Sequence, residues 1–277
     1  MNLEMLAAQY DFSGQTVVIT GGTGVLGGEM ARALAGCHAN VVLIGRSLER
    51  AEHVIRGFGV TPGRHLAVVA NVLDRASMDE AGRAVLDRYG RVDCLVNGAG
   101  GNDPLATTTP DRAFFDIPAA AFEQVVGLNL LGTLIPTQVF GRAMADQQSG
   151  TILNISSVSA GRPLTRVAAY AAAKAAISNW TQWLAVHLAQ EYSPQLRVNA
   201  LMPGFFLTEQ NRFLLTEKES GTLTVRGQKI IDHTPLGRFG SPEDLTGAVL
   251  WLLSPASKFV TGIVLPIDGG FTAFSGV

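Results

Sequence analysis

Two cysteines in 277 residues are too few for a disulfide framework. Cys37 and Cys94 are expected to be reduced thiols, Cys94 because it lies in a strand-like apolar run. The five histidines show no metal-ligand spacing, so no metal is expected. Excess charge is equally scarce: 21 Lys and Arg against 23 Asp and Glu leave a net charge of -2, and no basic cluster stands out. Such a chain has no field to hold nucleic acid or an anionic membrane surface, so neither is expected as a partner. No uninterrupted apolar stretch reaches the roughly 18 residues of a membrane span. The opening MNLEMLAAQYDF has no basic segment and carries Glu4 and Asp11, which argues against a signal peptide and for the cytoplasm.

What the chain has is apolar content, 47% against 16% charged residues, enough to build a large core and to exclude disorder. No internal repeat divides it, and the expected organisation is a single domain over residues 1–277. Seven β-rich runs recur: TVVIT at 16, VVLIG at 41, HLAVVA at 65, VDCLVN at 92, TILNIS at 151, RVNALM at 197 and IVLPID at 263. Their near-continuous apolar character suits strands covered on both faces. The segments between them, roughly 15 to 40 residues, are long enough for crossover helices. The expected fold is therefore α/β, a doubly wound parallel sheet of seven strands with helices on both faces. Two long irregular segments, NGAGGNDPLATTTPD and PGFFLTEQNRFLLTEKESGTLTVRGQ, follow strand ends, and the second marks a substrate lobe at about residues 205–235.

The glycine run TGGTGVLGG, Thr20 to Gly28, follows a strand and opens a helix, which makes it a candidate dinucleotide cradle. It has two registers. Gly22, Gly24 and Gly27 spell GxGxxG, whereas Thr20, Gly21 and Gly27 spell most of TGxxxGxG with Val25 in place of the middle glycine. A side chain at Val25 should either push a diphosphate toward the N–H groups of Gly22 to Gly24 or pack against the sheet. At the end of the second strand, where an acid would hold the ribose of NAD, stand Gly45 and Arg46. A guanidinium and no carboxylate there favour a 2'-phosphate, hence NADP, with NAD kept open.

Farther on, NISSVSAGRPLTRVAAYAAAK sets Tyr170 and Lys174 four apart on an alanine-rich helix, projecting from one face about 6 Å apart along the axis. An ammonium beside a phenol lowers its pKa toward neutrality, which suits proton exchange with a ketone or alcohol. Ser157, thirteen residues before Tyr170, can aim its hydroxyl at the same oxygen. Asn129, in VVGLNLLGT, would hold a water through which Lys174 reaches solvent.

These motifs together resemble those of the short-chain dehydrogenase/reductase family along nearly the whole chain. The resemblance implies Asn129, Ser157, Tyr170 and Lys174 as a catalytic tetrad and fixes the glycine register on Thr20, Gly21 and Gly27. It implies cofactor contacts from Thr23, Gly24, Val25 and Leu26, with Leu26 toward the nicotinamide, and from Asn97, Gly98, Ala99 and Gly100 after the fourth strand. Asn71, with Val72 beside it, stands where many relatives have Asp near the adenine. Pro203, Gly204 and Thr208 look like the nicotinamide-side loop. Within the family, NGAGGN, PGFFLTEQNR, HTPLGRFG and DGGFTAFSGV are most similar to the D-mannonate oxidoreductases, also called fructuronate reductases. That implies a nicotinamide-linked interconversion of D-fructuronate and D-mannonate. A gluconate 5-dehydrogenase-like or 3-oxoacyl-carrier-protein reductase-like enzyme, or a non-catalytic cofactor-binding regulator, is the alternative.

A sugar acid needs a cation and hydroxyl partners near the carbonyl. Asn102, Ser159, Arg162, Arg166, Gln210 and Asn211 are the candidates, the arginines as carboxylate clamp. Trp180 and Trp183 on the helix after Lys174, and the apolar tail FTAFSGV, are either core or subunit interface. The resemblance implies a homotetramer, with a homodimer as alternative.

Overall fold

All seven apolar runs become strands in the computed structural model, which describes residues 2–208, 212, 215–217 and 221–276. They are β1 (Thr16–Thr20), β2 (Asn40–Gly45), β3 (Leu66–Val69), β4 (Cys94–Asn97), β5 (Gly150–Ile155), β6 (Leu196–Pro203) and β7 (Val264–Ile267). Every pairing is parallel, in the order β3-β2-β1-β4-β5-β6-β7. Every residue of β1, β4 and β6 is buried, as expected of strands covered on both faces. β3 and β7 lie at the edges and are only partly covered. The chain starts mid-sheet at β1, runs outward through β2 and β3, and returns on the other side at β4. The carboxyl ends of β1 and β4 therefore flank the switch point where open α/β sheets bind ligands.

The helices are α1 (Leu3–Gln9), α2 (Val25–Gly36), α3 (Leu48–Arg56), α4 (Arg75–Tyr89), α5 (Ala119–Val126), α6 (Gly132–Asp146), α7 (Ala168–Glu191), α8 (Val225–Asp232) and α9 (Thr246–Leu253). α2 buries Gly27, Met30, Ala31, Leu34 and Ala35, one stripe at helical spacing, against the same side of the sheet as α9. α4 begins at Asp74, whose carboxylate accepts the Ala76 and Ser77 amides, and ends at Gly90 with a left-handed φ of 72°. Along α7 the buried stripe is Ala169, Ala173, Lys174, Ile177, Thr181, Leu184, Ala185 and Leu188. Burying Ile177 and Leu184 stabilises the fold by about 1.5–3 kcal/mol each. Lys174 occupies a place in that stripe where an apolar side chain would ordinarily sit.

α5 and α6 are joined by a π-helical turn, Gly127–Leu131, into one helix from Ala119 to Asp146. By length and composition alone the helix could cross a membrane, its best 18-residue window averaging a hydropathy of 1.3. Asn129, Thr133 and Thr137 are buried while Glu123, Gln124, Gln138 and Arg142 are exposed, and α6 packs against β4 and β5. Thr137 accepts a bond from the Asn97 amide at 2.9 Å, Asn97 donates also to Asn154 at 2.9 Å, and Asn154 donates to Thr181 at 2.9 Å. This buried relay ties α6, β4, β5 and α7 together beneath the carboxyl edge of the sheet.

Of the two tryptophans left open, Trp180 packs on the core and Trp183 is 57% exposed, stacked on His187 at 4.7 Å. Both cysteines are free thiols, Cys94 buried.

Candidate active site

The glycine register is decided by steric fit. Gly21 has φ 68° and lies so close to the loop after β4 that a Cβ there would be 2.5 Å from the Gly98 carbonyl oxygen. A Cβ on Gly27 would be 2.4 Å from the Gly21 carbonyl oxygen, whereas one on Gly24 would meet nothing closer than 3.4 Å. Gly21 and Gly27 are thus the positions where a side chain would run into backbone; Gly22 is closed by the buried Leu43 side chain at 2.6 Å, and Gly24 alone of the GxGxxG spelling has room. Gly24 is the N-cap of α2 and supplies no side-chain acceptor, which leaves the first-turn N–H groups and the positive helix end to an outside anion. This bare cradle at the switch point fits a dinucleotide diphosphate.

Val25 does not pack against the sheet: it is the first residue of α2 and 39% exposed. Leu26, partly buried, is the side chain that turns to the core. Thr23 faces the end of β2, its methyl 3.4 Å from where a Gly45 Cβ would stand. Arg46 is exposed beside it.

Two residues expected at the cofactor have buried side chains. Thr20 is 0% exposed and its hydroxyl accepts the Ala99 amide at 3.2 Å; Asn97 is 1% exposed within the buried relay. Both shape the cradle from behind. Val72 likewise sends its side chain into the core beside Gly132. Asn71 is exposed, with its side-chain oxygen accepting the Leu73 amide at 3.1 Å. Gly204 packs on Asp268, where a Cβ would lie 2.7 Å from the Asp268 Cβ, so the turn after Pro203 needs glycine. Thr208 is partly buried and its carbonyl accepts the Arg212 amide at 2.9 Å.

Asn129 sits in the π turn and is fully buried. Its amide donates to the Gly101 carbonyl at 2.7 Å and to the Val125 carbonyl at 2.8 Å, while its oxygen accepts the Gly101 amide at 3.2 Å. The side chain clamps the loop after β4, with both amide hydrogens committed to carbonyls. Gly100 forms the wall beside it: a Cβ there would be 2.6 Å from Asn129 Oδ1 and 3.3 Å from Lys174 Nζ.

Ser157 follows β5 and caps a short 3-10 turn, accepting the Ser159 amide at 3.3 Å. Its hydroxyl is near enough to the Tyr170 phenol to favour the charged form of that ring. Lys174 Nζ lies 5.5 Å from the Tyr170 ring centroid and donates to the Ile155 carbonyl at 2.8 Å. Asn129, Ser157, Tyr170 and Lys174 are therefore gathered at the carboxyl ends of β4 and β5.

The electrostatics differ from the expectation of a depressed phenol. Burial pushes the Tyr170 pKa up, opposed by the nearby Ser157 hydroxyl, and burial lowers Lys174 to about 8. Desolvation disfavours the charged form of each group. The cluster presents two hydroxyls and an amine of reduced basicity to one volume, a set able to polarise one oxygen and exchange a proton with it.

The six expected substrate residues divide. Asn102 donates to Thr107 within its own loop at 3.0 Å, and Ser159 is buried with a hydroxyl that has no partner among the described residues. Arg162 is occupied elsewhere: its guanidinium donates to the Thr272 carbonyl at 2.8 and 3.3 Å, fastening the C-terminal segment. Arg166 stands exposed near the site with φ 78°. Gln210 and Asn211 lie outside the described residues.

A diphosphate cradle at the switch point, next to a hydroxyl, a phenol and an amine, is the equipment of a nicotinamide-dependent oxidoreductase acting on an alcohol and its ketone. Residues 15–219 match the sequence model of the short chain dehydrogenases, and the chain belongs to that family. It is 46% identical over 282 residues to the uncharacterized oxidoreductase UxuB of Bacillus subtilis, covering 99% of this chain and 100% of the relative. A solved Haemophilus influenzae protein, provisionally named a D-mannonate oxidoreductase and holding NAD, is 43% identical with a TM-score of 0.91, covering 98% of this chain and 100% of that one. A Burkholderia cenocepacia gluconate 5-dehydrogenase with NADP and tartrate is 31% identical with a TM-score of 0.82, covering 97% and 99%.

Proposed function

We propose that this chain interconverts D-fructuronate and D-mannonate with NAD or NADP. The observation that carries the reading is the end-to-end likeness, at 43% identity, to the NAD-bound H. influenzae protein. The nicotinamide supplies or receives the hydride at the carbonyl carbon. Tyr170 gives its proton to the carbonyl oxygen as a ketone is reduced and takes one back in the reverse direction. Ser157 donates a second hydrogen bond to that oxygen as negative charge gathers on it. Lys174 restores the proton and orients the ribose, and Asn129 holds the loop that encloses them. Residues from Thr20 to Gly27 cradle the diphosphate, Asn71 and Val72 border the adenine, and Ala99, Gly100, Pro203, Gly204 and Thr208 border the nicotinamide half. The segment at about 205–235 acts as substrate lobe of a single-domain enzyme.

Arg46 favours the 2'-phosphate of NADP, while the NAD in the H. influenzae protein favours the other cofactor. We retain both, with the lean to NADP resting on Arg46. Steady-state reduction of D-fructuronate with NADH and with NADPH tests substrate and cofactor together. Turnover only of neutral ketones would sink the sugar-acid reading, and an Arg46→Ala enzyme with unchanged KM for NADPH would sink the role of Arg46.

A gluconate 5-dehydrogenase-like activity is the second reading, favoured by the B. cenocepacia likeness. A panel of keto acids separates the two. The same reading places the enzyme in the cytoplasm as a homotetramer or homodimer, packed through the outer face of α7. Trp183 and Val186, each 57% exposed, supply apolar area there. A monomer by light scattering would remove that assembly.

A further inference from the structure

β7 is an edge strand, and the chain leaves it through Asp268, Gly269 and Gly270. Both glycines have left-handed backbones, φ 63° and 90°, so the chain reverses at once. The Asp268 carboxylate closes the reversal. One oxygen accepts the Gly270 amide at 2.9 Å, and the other accepts the Thr272 amide at 2.9 Å and the Thr272 hydroxyl at 2.6 Å. A planar group accepting on both oxygens fixes those donors relative to one another. The closed turn is tied to the chain that follows β6: the Gly204 amide donates to the Ile267 carbonyl at 2.9 Å, and the Phe271 ring meets Phe205 edge to face at 5.1 Å. The Leu236 amide adds a bond to the Gly269 carbonyl at 3.1 Å.

What this turn presents is the Thr272 carbonyl, on which Arg162 Nη2 and Nε converge at 2.8 and 3.3 Å. Arg162 is exposed, and holding so long a side chain in one place costs rotamer freedom, which charge-assisted bonds offset. The same residue ends the turn that begins at Ser157. The Ala160 amide donates to the Ser157 carbonyl at 2.9 Å, the Arg162 amide to the Val158 carbonyl at 3.0 Å, and the Ser159 amide to the Ser157 hydroxyl at 3.3 Å. A single 3-10 turn, Val158–Ala160, has too few bonds to hold its shape unaided. The guanidinium supplies a distant fixed point. A closed path results, from β6 through Gly204, Asp268, Thr272 and Arg162 to Ser157, just past the end of β5, the strand paired with β6.

We propose that Asp268 is a positioning residue for the reaction: by holding the Thr272 carbonyl where Arg162 reaches it, Asp268 sets the aim of the Ser157 hydroxyl. The proposal rests on the reading of Ser157 as second donor to the substrate oxygen, and does not depend on which keto acid is reduced. Aim matters because a donor misplaced by about 1 Å costs on the order of 10²-fold in rate. Arg162 is then the link between the C-terminal turn and the site, which accounts for its engagement with a backbone carbonyl 110 residues away.

The test has two arms. Asp268→Asn keeps the shape of the side chain but offers one acceptor oxygen, so one of the two backbone amides loses its partner. In the full chain without cofactor, hydrogen exchange of the peptide spanning residues 157–162, read by mass spectrometry, should be faster in this variant while helix α4 keeps its protection. The second arm measures kcat in the wild type, Ser157→Ala, Asp268→Asn and the double variant, with D-fructuronate or whichever keto acid of the panel the wild type reduces. Ser157→Ala should lower kcat by about 10²–10³-fold. Asp268→Asn should lower it by roughly 10- to 100-fold. The double variant should be no slower than Ser157→Ala alone, because a residue that acts by aiming a hydroxyl has nothing left to aim. Arg162→Met should reproduce the Asp268→Asn pattern, and it carries the comparison if melting shows that Asp268→Asn does not fold. Arg162→Lys, which keeps a donor for the Thr272 carbonyl, should recover part of the loss. Losses that multiply in the double variant, wild-type kcat in Asp268→Asn, or unchanged exchange over residues 157–162 would overturn the proposal and leave the role of Ser157 standing. Wild-type kcat in Ser157→Ala would overturn both.

Discussion

The Lys174 ammonium nitrogen lies 5.5 Å from the centroid of the Tyr170 ring and donates to the Ile155 carbonyl at 2.8 Å, inside a stripe of helix α7 that is apolar apart from Thr181. A strand-end carbonyl and an aromatic face thus replace water around a lysine that is 4% exposed. Both residues spend stability to be where they are, and this makes their roles separable by experiment.

Tyr170→Phe removes the hydroxyl and keeps the ring on the cluster formed by Ala106, Ala121, Val125 and Ala169. The expected outcome is a fall in kcat of about 10²–10⁴. The melting temperature and NADH affinity, followed by fluorescence, should stay close to wild type. Undiminished turnover would take the phenol out of the chemistry.

Lys174→Met should change how stability depends on pH. In the fold the lysine titrates near 8 rather than 10.5, so between those values the unfolded chain binds more protons than the native one. Stability from this group therefore rises with pH across that window, and the penalty on the buried ammonium is fully present below it. Relative to the methionine variant, the wild type should gain up to about 3 kcal/mol on passing from below the window to above it. Thermal or urea denaturation of both proteins at several pH values measures this, and parallel curves would contradict it.

Gly27→Ala and Gly24→Ala should differ sharply although they are three residues apart. The first drives a methyl into the Gly21 carbonyl and should cost about 1–3 kcal/mol or more, with loss of cofactor binding. At Gly24 the nearest atom is 3.4 Å away, so the cost should stay within about 1 kcal/mol, mostly from the poorer N-cap. Denaturation midpoints and NADH titration distinguish the two, and equal effects would refute the steric account of the register.

Arg162→Ala frees Thr272 and, with it, the C-terminal turn that Asp268 holds through the Gly270 and Thr272 amides. Limited proteolysis should then remove the C-terminal segment faster. The preference between a keto acid and its ester should survive, because KM changes for both by the same factor. Selective loss of the acid would restore Arg162 as the clamp.

The parts of this site that sequence exposed are those with a period or a local geometry. Continuous apolar runs announced the strands, and the four-residue step from Tyr170 to Lys174 announced a shared helix face. The glycine register was legible only through the family resemblance, because its physical cause, the contacts of Gly21 with Gly98 and of Gly27 with Gly21, exists only in the folded chain. Burial also escaped notice. Nothing adjacent to Lys174 in sequence says that it will be desolvated, and so the direction of the Tyr170 shift was missed. Arg162 is read as a carboxylate clamp for the same reason: the Thr272 carbonyl that occupies it is 110 residues away.

Gly100 limits how this enzyme can change over time. A single methyl added there would stand 2.6 Å from the Asn129 oxygen and 3.3 Å from the Lys174 nitrogen. Any mutational path that gives the loop after β4 a side chain at that point must therefore relocate the asparagine clamp and the buried lysine in the same step. The lineage is free to vary its substrate lobe residue by residue, but it inherits this corner as a unit.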